Sequence, residues 1–337
     1  MKKGLALVLI FVLAFSALTA CGKSGGSNGK AIKTGLGVVT SVASSKNAED
    51  KDGVAETDSY VAAVTVGSDG KIIECQLDAA QTQIGFSKDG KITSDKTAAV
   101  QTKQEKKDAY GMKGQSKIGK EWYEQADSFA KYCVGKTLDQ VKGIAVTEEG
   151  TAKDADLASS VTVHIGDFIS VVAKAVENAQ DLGAKSGDKL GLGISTTIDK
   201  STDAAADTDG LAEAYSYYTV VTVDSSSKIS SCAIDASISD INFNTTGAIT
   251  SDLTTAVQTK QEKKDAYGMK AQSKIGKEWY EEANSFAKYV TGKTLDQVKG
   301  IAVNDQGTPS DSDLASSVTV HIAPFTGVIE KAVTNAK

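Results

Sequence analysis

Arginine is absent from this chain of 337 residues: all 37 basic residues are lysine, set against 43 acidic ones for a net charge of −6. Without a guanidinium there is no bidentate phosphate clamp, so anion recognition falls to lysine point charges and backbone amides. No dense basic stripe occurs, which argues against a nucleic-acid partner. Histidine is limited to His164 and His321, too few for a histidine metal cage, and no CxxC pair or Cys/His cluster has the spacing of a zinc site. No catalytic triad, paired-carboxylate signature or Walker loop is present. Gly35-Leu36-Gly37 and Gly191-Leu192-Gly193 are followed by strand-like residues, not by the phosphate-binding helix a dinucleotide fingerprint needs.

What the chain does have is a duplication. The ten residues Asp156 to Ile165 recur unchanged at Asp313 to Ile322. Residues 99–146 agree with 256–303 at 43 of 48 positions, whereas 60–97 agree with 217–254 at only 18 of 38. The second half of each unit has thus been kept alike, by function or by recent gene conversion. Cys75 and Cys232 are repeat equivalents, while Cys133 corresponds to Val290, so no disulfide is common to both units. A Cys75–Cys133 bridge is open to the first unit; buried free thiols are favoured, because cysteine behaves as a small hydrophobe.

The N-terminus carries a targeting signal. Lys2 and Lys3 precede an apolar run from Leu5 to Leu18 that closes on Leu18-Thr19-Ala20-Cys21. That is a charged segment, a short hydrophobic core and a small-residue cleavage site, too brief for a membrane span. A cysteine directly after Leu-Thr-Ala resembles a bacterial lipobox, which implies diacylation of Cys21, and two acyl chains make a stable membrane anchor. The organisation expected is a lipoprotein signal over 1–20, a flexible lipidated tether over 21–30, one repeat over 31–179, a linker over 180–188 and a second repeat over 189–337.

Within each unit, strand signals come first. Gly35–Thr40 and Gly191–Thr196 read as strands, and the apolar runs Tyr60–Val66 and Lys71–Leu77 flank Asp69-Gly70 as a hairpin. The second copy has Ser226-Ser227 in place of Asp-Gly, predicting a different or longer turn. A second hairpin is expected around Asp89-Gly90. Trp122, Ala126, Phe129, Ala130 and Cys133 form one helical stripe over about 120–134, ended by Gly135, with Trp122 and Trp279 as core residues. Thr137 and Gln140 fit a capping box. Ser160–Ile165 has strand character, and Phe168 to Ala179 forms a further helical stripe with Asp167 placed to cap it and Pro324 in its stead in copy two. Strands followed by helices indicate an α+β fold of two tandem repeats, each an antiparallel sheet packed with helices.

The segment Asp156-Leu157-Ala158-Ser159-Ser160-Val161-Thr162, repeated from Asp313 through Ser316 and Ser317 to Thr319, resembles the D-x-x-S-G-A-T motif of the covalent FMN-binding domain family. In that family a flavin transferase joins the threonine hydroxyl to the phosphate of FMN. The resemblance implies Thr162 and Thr319 as attachment points and two covalent FMN groups per chain. Lipobox, tether and two such units also resemble the flavinylated lipoproteins of Gram-positive extracellular electron transfer, including the peptide pheromone-encoding lipoprotein group. That likeness implies a membrane-anchored electron carrier on the outer face of the cell membrane, fed by a membrane donor and discharging to an extracellular acceptor. The family's glycine and alanine are Ser160 and Val161 here, and Ser317 and Val318 in the second copy; serine before a β-branched residue favours extended backbone.

Candidates for holding the flavin ring are Tyr110 and Met112, with Tyr267 and Met269, in the hexad Asp-Ala-Tyr-Gly-Met-Lys. His164 and His321 would share the threonine's side of a strand. Lys103, Lys106, Lys107 and Lys113, with copies at Lys260, Lys263, Lys264 and Lys270, either offset a phosphodiester or form an ordinary solvated face. Two other readings stand beside the carrier: a non-redox surface lipoprotein binding a ligand or partner through duplicated α+β modules, and release of a signal-derived peptide ending at Ala20.

Overall fold

A computed structural model describes residues 30–337; the signal segment, Cys21 and nearly all of the tether lie outside the described residues. Each repeat is a three-stranded antiparallel sheet in sequential order, β1 (Lys33–Ser41), β2 (Gly53–Val66) and β3 (Ile72–Phe86), then β4 (Lys189–Thr197), β5 (Gly210–Val223) and β6 (Ile229–Phe243). After β3 come α1 (Lys103–Lys106), a 3-10 turn over Lys107–Tyr110, α2 (Trp122–Cys133), α3 (Leu138–Lys142), α4 (Ala155–Ala158) and α5 (Gly166–Glu177). After β6 the series repeats as α6 (Lys260–Lys263), α7 (Trp279–Val290), α8 (Leu295–Lys299), α9 (Ser312–Ala315) and α10 (Ala323–Thr334). The fold is therefore α+β with a repeated unit. No described helix is long and apolar enough to cross a membrane.

The strand pattern explains the layering. In β2, Ala62 and Val64 face α2 and α5 in the core of their own repeat, while Val61 and Ala63 face the opposite sheet. Both faces are buried, which is why this strand reads as an unbroken apolar run instead of alternating. The two sheets thus pack face to face, with helices outside. Val61, Ala63, Leu192, Tyr218 and Val220 meet in one shared cluster, and Phe86 stacks on Phe243 with centroids 4.4 Å apart. The contacts are reciprocal. Lys174 pairs with Glu262 at 2.6 Å and Lys331 with Glu105 at 2.7 Å; Ala48 N–H donates to Gly247 O and Ala204 N–H to Gly90 O. The repeats are related by a pseudo-twofold axis near the two phenylalanines, the geometry of a symmetric dimer joined into one chain.

Gly35 and Gly37 have a packing task. A Cβ on either would overlap the Ala175 or Val171 carbonyl of α5, so glycine lets that helix lie directly on the edge strand, and Gly191 and Gly193 do the same beneath α10.

Three expectations need correction. The turn at Ser226-Ser227 is not of another type: Ser227 takes φ +59 where Gly70 takes +75, and the hydrogen bonds Asp224 N to Lys228 O and Gly67 N to Lys71 O correspond. Asp224 Oδ1 accepts from the Ser226 and Lys228 amides, an Asx turn that offsets the left-handed strain. Ser160–Ile165 is not a strand but a loop from α4 to α5, tied down by side-chain acceptors in place of a neighbouring strand. Asp167 does not cap α5; Ile165 holds the N-cap position, and Asp167 lies in the first turn. The expected helix at Trp122, the Gly135 terminator and the Thr137–Gln140 box are all present. Cys75, Cys133 and Cys232 are free thiols.

Candidate functional site

The near-identical block and the ten-residue motif meet at the start of α2. Glu121, 2% exposed, accepts from the Met112 and Lys113 amides at 2.9 Å each, pinning the loop that follows Tyr110. One turn further, the fully buried Gln125 Oε1 accepts from Thr162 N–H at 2.8 Å, Thr162 Oγ1 at 3.3 Å and Val163 N–H at 3.2 Å. Its Nε2 donates to Ser116 Oγ and the Lys120 carbonyl, both at 3.2 Å. A single side chain thus joins the Tyr110–Lys120 loop to the threonine loop. Leaving those buried amides without an acceptor would cost about 1–3 kcal/mol each.

In the second repeat this position is Glu282, one of the five differences within the matched block. Its carboxylate accepts from Thr319 N–H, Thr319 Oγ1, Val320 N–H and Ser273 Oγ. Glutamate can accept from all four and needs no donor partner, whereas glutamine supplies its own donors to Ser116 and Lys120. The two threonines are therefore held alike but in different electrostatic settings, neutral in one repeat and acidic in the other.

The remaining motif residues have structural tasks. Asp154, not Asp156, caps α4 through the Leu157 amide, and Asp311 rather than Asp313 does so for α9. Ser159 and Ser160 turn their hydroxyls back to the Asp156 and Leu157 carbonyls, as Ser316 and Ser317 do to Asp313 and Leu314. Val161 and Val318 are fully buried anchors. None of Ser160, Val161, Ser317 and Val318 has positive φ, so the loop does not require glycine there. Thr162 and Thr319 are half-buried, and their hydroxyls donate inward to the buried Gln125 and Glu282. His164 and His321 are exposed and lie in a loop, so strand alternation does not place them relative to the threonine; the His164 ring lies by Gly150. Tyr110, Met112 and Val163 are partly buried against the core cluster of the first repeat, as Tyr267, Met269 and Val320 are against that of the second.

Sequence reasoning missed the cation at the centre. Lys103, assigned with its neighbours to a solvated face or a phosphate, is 6% exposed, with its ammonium 4.9 Å from the Tyr110 ring centroid, 5.3 Å from Trp122 and 5.7 Å from Tyr60. Lys260 is 3% exposed among Tyr215, Tyr267 and Trp279, at 4.5, 4.3 and 5.0 Å, and it hydrogen-bonds Tyr215 Oη. Thr102 and Glu105 form a capping box that starts α1 and points Lys103 inward. That box was the available signal. Lys106 is half-buried, while Lys107 and Lys113 are exposed.

The cages differ in charge. Around Lys103 stand Asp58, Glu56 and Asp167; burial first, then the Glu56 carboxylate, pushes Asp58 up to about 7. Tyr215 and Pro324 replace Asp58 and Asp167 in the second repeat. There, burial first and the charges of Lys200 and Lys263 next lower Lys260 to about 7, outweighing the attraction of the aromatic faces for the ammonium.

Comparison with known proteins adds little. No family model matches the chain, and no solved structure matches it. A chlorophenol reductase of Desulfitobacterium hafniense is 50% identical over 42 residues, which is 12% of this chain and 13% of that protein. The chain thus spans about an eighth of that relative, a likeness too partial to carry function. No group of three or more metal-ligating side chains is found among the described residues.

Proposed function

We propose that the chain is a lipid-anchored extracytoplasmic electron carrier, with FMN joined by a phosphodiester to Thr162 and to Thr319. One observation carries the reading: in both repeats the motif threonine is a half-buried residue whose hydroxyl is held by a buried side chain of α2 or α7, one turn along from the tryptophan that walls a caged lysine.

The residues present fit the group. A phosphodiester bears one negative charge, and each repeat sets a lysine, Lys103 or Lys260, against the tryptophan one turn from the clamp, with Lys260 lowered to about 7 so that its charge depends on pH. Tyr110 and Tyr267 offer flat faces beside it. The departure from the family motif is accommodated, because Ser160 and Val161 adopt ordinary backbone and turn inward, with the half-buried threonine following them. Attachment would form a threonine Oγ–phosphorus bond as the FAD pyrophosphate bond breaks, with AMP leaving, under a flavin transferase as partner. When bound, the flavin supplies electron acceptance and release; the protein holds and tunes it through nearby charge. Covalent tethering keeps the cofactor from diffusing away outside the cell, and the Cys21 anchor would hold it between a membrane donor and an extracellular acceptor.

Co-expression with a flavin transferase tests this directly. Denatured protein should fluoresce in gel, intact mass should show two FMN adducts, and Thr162→Val and Thr319→Val should each remove one. An unchanged flavin count in the double variant rejects the attachment sites. A colourless wild-type protein made with an active transferase favours the non-redox binding module instead.

A further inference from the structure

The pseudo-twofold axis generates two clefts between the repeats, and they are unequal. One, between β1 with the end of α5 and β6 with α7, has a volume of about 820 Å3; its counterpart between β3 and β4 has about 380 Å3. One difference is a side chain that crosses the smaller cleft. In the smaller cleft Gln76 of β3 reaches across to the edge strand β4, accepting from Leu192 N–H at 3.0 Å and donating to Leu190 O at 2.8 Å and Asn335 O at 3.2 Å. The equivalent of Gln76 is Ala233, which leaves the opposite space open.

We propose that the larger cleft is a binding site for a small planar heterocycle with an amide or imide edge, whose polar edge takes the place of the Gln76 carboxamide. The edge strand supports this. Thr34 both donates to and accepts from Gln180, so even-numbered residues of β1 turn their backbone groups away from β2. Leu36 lies two residues on, and its carbonyl accepts from Asn178 Nδ2 at 3.0 Å. Its N–H faces the cleft where the Leu192 N–H meets Gln76. The carbonyl of Asn178 corresponds to that of Asn335. Acceptor and donor must therefore sit side by side on the ligand, as they do in a primary carboxamide, lactam or imide.

The walls are partly apolar. Leu36, Leu182, Ile234 and Ala287 supply apolar surface, and the volume lies within the roughly 300–1,000 Å3 usual for small-molecule sites. Lysine and carboxylate both line the rim, and Glu262 is already paired with Lys174, so no charged tail is demanded. Because one wall comes from residues 180–182 between the repeats, the site exists only in the tandem chain. It shares no residue with the threonine loops and stands whether or not they are flavinylated.

The test uses protein made without a transferase and the probes benzouracil, its imide N-methylated analogue and nicotinamide, titrated to about millimolar concentration by calorimetry. The expected result is one site per chain, at least roughly tenfold weaker for the methylated ring, which loses one hydrogen bond. Ala233→Gln should abolish binding by supplying the missing plug, whereas Gln76→Ala, in the smaller cleft that lacks the 180–182 wall, should leave one site per chain. Equal binding by wild type and Ala233→Gln, or no binding of any probe by a wild-type protein with a cooperative melt, overturns the proposal.

Discussion

Replacing Lys260 by methionine isolates the energetic consequence of the caged cation. The residue is 3% exposed, and burial lowers its ammonium from 10.5 to about 7. At about 1.36 kcal/mol per pH unit, that displacement represents about 5 kcal/mol of folding free energy opposed by the charged form. The sign follows from proton binding. Between about 7 and 10.5 the unfolded chain holds a proton that the folded one lacks, so stability rises with pH across this window; below about 7 both forms are protonated and the penalty is complete. From about pH 6 to about pH 9 the wild type should gain about 2–3 kcal/mol from this residue. Methionine fills the cage, makes sulfur–aromatic contacts and does not titrate. Urea unfolding of wild type and Lys260→Met at matched pH values reads the difference directly: Lys260→Met should be the more stable at pH 6, with the gap narrowing as pH rises. Parallel pH profiles would refute the claim that burial lowers this lysine to about 7.

Gly37→Ala and Gly193→Ala should each destabilise by about 3 kcal/mol in chemical denaturation, because the new methyl meets a helix carbonyl, Val171 O or Val328 O, that has no free space to retreat into; a loss below about 0.5 kcal/mol would contradict the tight helix-on-strand contact. Glu282→Ala strips the acceptor from the Thr319 and Val320 amides and should cost about 2–4 kcal/mol, with faster hydrogen exchange at those two amides as the local readout. If the threonines carry FMN, the two sites should differ in reduction potential, since Asp58 and Asp167 of the first repeat are Tyr215 and Pro324 in the second, while Glu282 stands against Thr319 where the first repeat has Gln125. Potentiometric titration of Thr319→Val and Thr162→Val reports each site alone; equal potentials would remove the charge argument.

Much of the fold was legible because its signals are local. The α2 stripe, its glycine terminator and the Thr137 capping box depend on residues within a few turns of one another, and all three are present. The misreadings arose where tertiary partners decide. Ser-Val-Thr-Val has strong strand propensity, yet with Gln125 and Glu282 supplying acceptors from another element it forms a loop. Lys103 lies in a lysine run whose other members face outward; a four-residue helix started by Thr102 points it inward, and no periodicity can register so short an element. The site was half visible. Tyr110, Met112 and the motif threonine do lie at one end of each repeat, but the side chain that links their loops belongs to α2 and was read only as part of a helix.

The uneven match between the repeats now has a physical account. The strand half diverged where the two sheets face one another. Val61 is matched by Tyr218, whose hydroxyl bonds Ser59 and Ser237; Ala63 is matched by Val220, and Gln76 by Ala233. In a symmetric dimer such residues must complement themselves across the axis, whereas in a tandem chain each side is free to fit the other. Tyr218 could not have a copy at position 61 without two large rings meeting in one buried cluster. The helical half touches the partner repeat far less and carries the clamp, the pinned loop and the lysine cage in both copies. Gene conversion would homogenise by position alone. Here identity begins where the chain leaves the shared sheet interface, lapses over 147–155, where 3 of 9 positions agree, and returns over the ten residues that carry the threonine, as expected if both threonine-bearing ends were kept for the same task.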